Sequence, residues 1–486
     1  MTLEQLADGV LIPPFPGTTA PAWLLSALEG GLAGVTLFAP NMDDGAAALT
    51  ALTASLRAVA DDVLVAADEE GGDVTRVWYG SGSPYPGNAA LGAVDDVALT
   101  EQVHAAIGRD LAALGINFDL APCLDVLAAP MNPVVGTRSF GATPDLVARH
   151  GVAAVRGLQS AGVAACAKHF PGHGSTVLDS HAALAVVEGD MSDVMTRDLP
   201  PFRAAVDAGV LTVMPGHLRV PELTGELPAS LSAAAIALLR EDLGFTGVIA
   251  TDALEMRAVS DPYGVPGASV RALAAGCDLL CLGRDVDADG YLAVRAAIAA
   301  AVRSGELPGE RLEESAARVA SLRARLARIR ITSQADAAAN SIGLAAARRA
   351  LRLTGPRPDL LDPVVAEVEP IVNMAAGDAH WGLNGWVPAE NLRRIASSPD
   401  PAAAAAATLK AAAGRSLILV VRDAHRSAAT QELVTLVLGE RPDAVVVEMG
   451  LPYWQPPAGT YQSYLATFGA SRANTQAAAE VLGFTA

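Results

Sequence analysis

Short apolar runs and longer helix-periodic stretches alternate along the first two thirds of the chain. The runs are GVLIPPF (9–15), GVTLFAP (34–40), VLVAAD (63–68), NFDLAP (117–122), AACAKHF (164–170), LTVMPGH (211–217), GVIATD (247–252) and CDLLCL (277–282). Helical spacing marks the intervals near 45–60, 98–114, 143–161 and 229–242. Strands that are apolar on both faces and separated by helices belong in a parallel sheet. Eight such units over roughly 300 residues predict an α/β fold of the (β/α)8 TIM-barrel type. A doubly wound open sheet is the rival, and it usually needs fewer units.

The polar positions support the barrel. Asp68, Lys168 with His169, His217 and Asp252 stand at the C-terminal ends of four separate expected strands. That rim is where a barrel collects its chemistry, because the βα-loops converge there. After residue 330 the pattern changes. ELPGERLEESAARVASLRARLARIR (306–330) reads as a closing helix and ITSQADAAANSIG (331–343) as a connector. Further strands are expected at 369–377, 416–423 and 443–450, with helices near 402–412, 428–439 and 473–482. The expected organisation is therefore a catalytic barrel over 1–330, a linker over 331–345 and a smaller C-terminal α/β domain over 346–486. The last shows no chemistry-bearing cluster of its own, so a binding or packing role is expected for it.

Composition narrows the function more than the fold. With 486 residues, 51% hydrophobic and 18% charged, the chain has apolar side chains for two cores. Its net charge of −19 argues against nucleic acid and against an anionic membrane surface. Cys123, Cys166, Cys277 and Cys281 lie in or beside apolar runs without a spaced framework, which fits buried free thiols in a reducing compartment. The opening MTLEQLADGVLIPPF has no basic region, apolar run and cleavage site in succession, and no apolar stretch reaches membrane-spanning length. A cytoplasmic location is the expectation.

The densest chemistry is KHFPGHGSTVLDSH (168–181). His169 and His173 have the helical metal-ligand spacing, but Pro171, Gly172 and Gly174 break any helix, so the rings have no reason to share a face. A mononuclear metal hydrolase is one alternative reading; no metal and no cofactor is the expectation. Asp179 and His181 are two residues apart. A carboxylate beside an imidazole stabilises the protonated ring and raises its pKa, which suits a proton donor near neutrality. The same Asp-Ser-His run could instead serve only as a turn. Asp252, in GVIATDALEM (247–256), could be a nucleophile, a base, a metal ligand or a helix cap. Asp68 and Arg76, in DEEGGDVTR, suit sugar hydroxyls, and could equally pair with each other.

Taken together these stretches resemble glycoside hydrolase family 3, in particular its β-N-acetylglucosaminidase branch. The likeness runs in order through DEEGGDVTR (68–76), NFDLAPCLDV (117–126), NPVVGTRSFG (132–141), KHFPGHGSTVLDSH (168–181), MPGH (214–217) and GVIATDALEM (247–256). It covers the barrel well and is weak over the C-terminal third. The resemblance implies a retaining mechanism: Asp252 as nucleophile, and His181, oriented by Asp179, as acid/base. It further implies that Asp68, Arg76, Arg138, Lys168 and His169 hold the sugar in the minus-one subsite, with His217 a looser match. The expected partner is a small amino sugar or oligosaccharide. A neutral or cationic acid/base would also admit an anionic acceptor, so phosphorolysis of N-acetylglucosaminides is the alternative activity. A non-catalytic sugar-binding barrel is the alternative of another class. It is disfavoured because Asp252, Asp179 and His181 are all present.

Overall fold

The computed structural model describes residues 1–178, 184–329, 337–369, 375–377, 382–396 and 400–484. All eight expected barrel strands are found among them. They are β1 (Leu11–Ile12), β2 (Gly34–Thr36), β3 (Leu64–Ala67), β4 (Phe118–Asp119), β5 (Ala164–Phe170), β6 (Thr212–Pro215), β7 (Val248–Ile249) and β8 (Leu280–Cys281). Each pairs in parallel with its successor from β2 to β7. A bridge from Ala250 to Leu279 joins β7 to β8, and Leu11 and Ile12 pair with Leu280 and Cys281 to join β8 to β1. The Thr36 N–H donates to the Pro13 carbonyl at 3.1 Å, which closes the ring between β1 and β2. The (β/α)8 barrel is thus complete.

Its interior is packed rather than open. Ile12, Ala33, Leu64, Ala66, Phe118, Ala164, Cys166, Met214, Val248, Ala250 and Cys281 belong to one buried apolar cluster. All four cysteines are buried free thiols. Burial pushes the Cys166 and Cys281 thiols up to about 12. They behave as small apolar side chains.

The expected helix at 229–242 is more broken than its periodicity suggests. A 3-10 turn (Ala229–Leu231), a helix (Ala233–Ala237) and a π turn (Leu238–Asp242) share the segment. Ser232 caps the middle piece by accepting from the Ala235 N–H. The closing helix spans Gly309–Ala327.

The C-terminal domain is a six-stranded sheet flanked by helices. Its strands are β9 (Arg352–Thr354), β10 (Val364–Val368), β11 (Leu392–Ile395), β12 (Leu417–Val421), β13 (Val445–Glu448) and β14 (Ser463–Ala466). They lie in the order β9-β14-β13-β12-β10-β11, and only β9 is antiparallel. Helices Pro401–Ala411, Ala428–Glu440 and Arg472–Val481 match the three expected ones. Strands β9, β10, β11 and β14 were not expected from the pattern. Charged Arg393 and Arg394 hide β11, and Glu367 hides β10 although it is buried and accepts from the Leu383 N–H. The strand expected at 369–377 and the linker at 331–345 fall largely or partly outside the described residues.

Contacts group the chain into two units. The first holds 1–70, 97–135 and 142–339; the second holds 71–96, 136–141 and 340–486. Two excursions from the barrel sequence, the ones carrying Arg76 and Arg138, therefore group with the C-terminal residues. No helix among the described residues is long and apolar enough to cross a membrane.

Candidate active site

In the barrel unit, the chemistry begins at the ends of β3 and β5. Lys168 is 2% exposed, and its Nζ lies 2.7 Å from Asp68 Oδ1 and 2.8 Å from Glu70 Oε1. A buried ammonium needs such partners, since an unpaired one would give up its proton. The structure thus brings Asp68 and Lys168 together and adds Glu70. Behind them lie two wholly buried acids, Glu69 and Asp119, where the Glu69 N–H donates to Asp119 Oδ1 at 2.9 Å. Burial, reinforced by Glu69 and Asp68, pushes the Asp119 carboxyl well above the ordinary range despite that N–H and Lys168.

His169 follows Lys168 on β5. Its Nδ1 lies 2.7 Å from Asp125 Oδ2. Asp125 also accepts from the backbone N–H of His169 at 3.2 Å and of His173 at 2.7 Å, and from Cys123 Sγ at 3.1 Å. Burial alone would raise the Asp125 pKa. The His169 imidazole, His173 and the donated N–H overcome it and hold the carboxyl well below its usual range. A carboxylate on Nδ1 sets which way the His169 ring points. Cys123, Asp125 and His169 offer ligand atoms within 4.8 Å of one another, the one such grouping among the described residues. The hydrogen bonds among these three residues account for that closeness.

His173 takes a different part. Its Nδ1 lies 2.7 Å from Thr176 Oγ1, and its carbonyl accepts from Asn132 Nδ2 at 2.9 Å. The His169 and His173 rings meet edge to face at 5.8 Å, not side by side as two ligands of one helix would. Asp179 and His181 lie outside the described residues.

Asp252 follows β7, and its Oδ1 accepts from the Ala253 N–H at 2.8 Å. His217 follows β6 and is fully buried, with Nδ1 2.7 Å from Ser230 Oγ and Nε2 3.0 Å from the Ala253 carbonyl oxygen.

Arg76 and Arg138 belong to the second unit. Arg76 Nη2 donates to the Ala375 carbonyl at 3.2 Å, and the Arg138 carbonyl accepts from Asn88 Nδ2 at 2.7 Å. Both segments meet at Asp73, whose Oδ2 accepts from Thr137 Oγ1 at 2.7 Å and from Arg422 Nη2 at 2.6 Å, and whose Oδ1 accepts from the Ala470 N–H at 2.9 Å.

Sequence reasoning missed Glu70, Asp119, Asp125, Ser230 and the Asp73–Arg422 pair. Glu70 and Asp125 carried a usable signal: a carboxylate just past an apolar strand, close to the rule that picked out Asp68 and Asp252.

The glycosyl hydrolase family 3 N terminal domain matches residues 20–322. Beta-hexosaminidase A of Pseudoalteromonas piscicida is 34% identical over 322 residues, which is 61% of this chain and 54% of that protein. Beta-hexosaminidase LpqI of Mycobacterium tuberculosis is 40% identical over 265 residues, 53% of this chain and 67% of that one. The match thus spans about half to two thirds of these curated relatives. A solved glycoside hydrolase family 3 beta-N-acetylglucosaminidase from Paenibacillus superposes with a TM-score of 0.87 at 32% identity, over 99% of this chain and 96% of that one. With a family domain matched along the barrel and a full-length fold to go with it, this chain belongs to glycoside hydrolase family 3.

Proposed function

We propose that the chain is a retaining β-N-acetylglucosaminidase that removes N-acetylglucosamine from non-reducing ends. The observation that carries the reading is the pairing of Lys168 with Asp68 and of His169 with Asp125, on the C-terminal side of the barrel strands. Held this way, a cation and an imidazole can receive sugar hydroxyls without reorganising. The names of the relatives supply the sugar. In this reading Asp68, Arg76, Arg138, Lys168 and His169 hold the ring. Asp252 attacks the anomeric carbon as His181, oriented by Asp179, protonates the departing oxygen. Water then displaces Asp252 while His181 takes the water's proton. A cytoplasmic site of action and the recycling of cell-wall amino sugars accompany this proposal.

The test is turnover of 4-nitrophenyl N-acetyl-β-D-glucosaminide beside the plain β-glucoside, with and without phosphate. Preference for the N-acetyl sugar at a phosphate-independent rate is expected. Acceleration by phosphate, with glycosyl phosphate as main product, would make the protein a phosphorylase. Failure to turn over either sugar would leave a binding barrel.

A further inference from the structure

We propose that His217 is a positioning residue for the Asp252 turn rather than a ligand of the sugar. The inference rests on the proposed function only in taking Asp252 as the nucleophile. Nε2 of His217 lies 3.0 Å from the Ala253 carbonyl oxygen. A carbonyl can only accept, so Nε2 carries the proton. In the neutral ring Nδ1 is then an acceptor, and Ser230 Oγ, 2.7 Å away, donates to it. Both ring nitrogens are committed at a place with no solvent exposure. The two described bonds thus run to protein groups, one on each ring nitrogen.

Ser230 is itself held in place. Its N–H donates to the Gly216 carbonyl at 3.3 Å, and its carbonyl accepts from Cys277 Sγ at 3.4 Å. The bonds therefore run one way, from the Ser230 hydroxyl through the imidazole to the Ala253 carbonyl. Ala253 in turn gives its N–H to Asp252 Oδ1 at 2.8 Å.

The turn needs this support because the barrel ladder ends just before it. The Thr251 N–H still reaches the Leu279 carbonyl at 2.9 Å. Beyond that, the Leu254 N–H bonds to the Cys281 carbonyl and the Met256 N–H to the Ala253 carbonyl, both at 3.0 Å. Of the bonds described on this turn, the one from His217 ties it to the neighbouring strand β6. A carboxylate nucleophile must hold one oxygen and present the other, and its aim follows the peptide that holds it. Misplacement by about 1 Å can cost about a hundredfold in rate.

The experiment compares His217→Ala and His217→Gln with the wild type. For His217→Ala, kcat on the 4-nitrophenyl N-acetylglucosaminide is expected to fall roughly a hundredfold, with equilibrium binding of free N-acetylglucosamine nearly unchanged. Glutamine can still donate to the Ala253 carbonyl, so His217→Gln should recover most of the loss. Weakened sugar binding with kcat spared would overturn the inference and make His217 a sugar ligand. Equal losses in both, with no recovery by glutamine, would reduce it to a structural residue. Nitrogen-15 spectra of the histidine rings add a readout that needs no turnover: His217 should carry its proton on Nε2, and the opposite tautomer would also overturn the proposal. A wild type without hexosaminidase activity would defeat the proposed function, yet the tautomer would still decide this inference.

Discussion

Three buried ionisable side chains of the barrel unit sit beside groups that shift their titration or pair with their charge. Lys168 sits between the carboxylates of Asp68 and Glu70, four donors help to hold the Asp125 carboxyl below its ordinary range, and burial pushes the Asp119 carboxyl above its own. Asp252 differs in being partly exposed, while its Oδ1 accepts from the neighbouring Ala253 N–H. That suits a group that must meet a substrate. Replacing Asp252 by Ala is expected to lower kcat by several orders of magnitude while the melting curve keeps its shape; retention of more than a few per cent of activity would remove it as nucleophile. For Asp125 the sign of the pH effect is fixed. Its native pKa is depressed below the ordinary 3.8, so its contribution is complete above 3.8 and is lost as pH falls from there toward the native value. The stability gap between wild type and Asp125→Asn in urea should therefore be widest near neutral pH and narrow below 3.8. A gap independent of pH would mean the carboxylate is not paired as described.

Among the elements, the turn after β5 depends on glycine at two positions. Gly172 sits at φ +138°, where a Cβ would lie 2.6 Å from that of Asp198. A Cβ on Gly174 would lie 1.9 Å from the Val126 carbonyl oxygen, an atom of backbone that cannot rotate aside. Asp198 is pushed up to about 6 by burial, and its carboxylate is gripped by Arg197, which also donates to the Glu188 carbonyl at 3.1 Å. Gly174→Ala is expected to cost about 1–3 kcal/mol of stability, read by urea unfolding, and to slow turnover as well. An unchanged midpoint would show that the close approach to Val126 is relieved at no cost.

At the scale of the whole molecule, chain order and packing order differ. Residues 71–96 and 136–141 leave the barrel sequence and group with residues 340–486. Within that unit Asp73 gathers Thr137, Arg422 and the Ala470 N–H, with Arg422 and Asp73 side chains 9% and 5% exposed. Removing Arg422 leaves a buried carboxylate without its cation. Arg422→Met should destabilise this unit by about 3 kcal/mol or more, seen as an earlier unfolding transition, whereas Arg422→Lys should restore part of it. A transition that does not move would show that Thr137 and Ala470 suffice.

By itself, the sequence determined the barrel, the family and the strand ends that carry Asp68, Lys168, His169, His217 and Asp252. Those are properties of periodicity and local motif, and burial on both faces writes a parallel strand directly into its composition. The C-terminal sheet was only half legible, because charged residues such as Arg393 and Glu367 interrupt strands whose neighbours, not their own composition, make them strands. The partners of the site residues were not legible at all. Lys168 meets Asp68 across a hundred positions, His169 meets Asp125 across 44, and His217 reaches forward 13 to Ser230 and 36 to Ala253. A hydrogen bond falls within reach only when strand order, register and turn geometry have all been set. So which groups could be catalytic was written in the chain, while which of them are held, aimed or neutralised was decided by the tertiary structure.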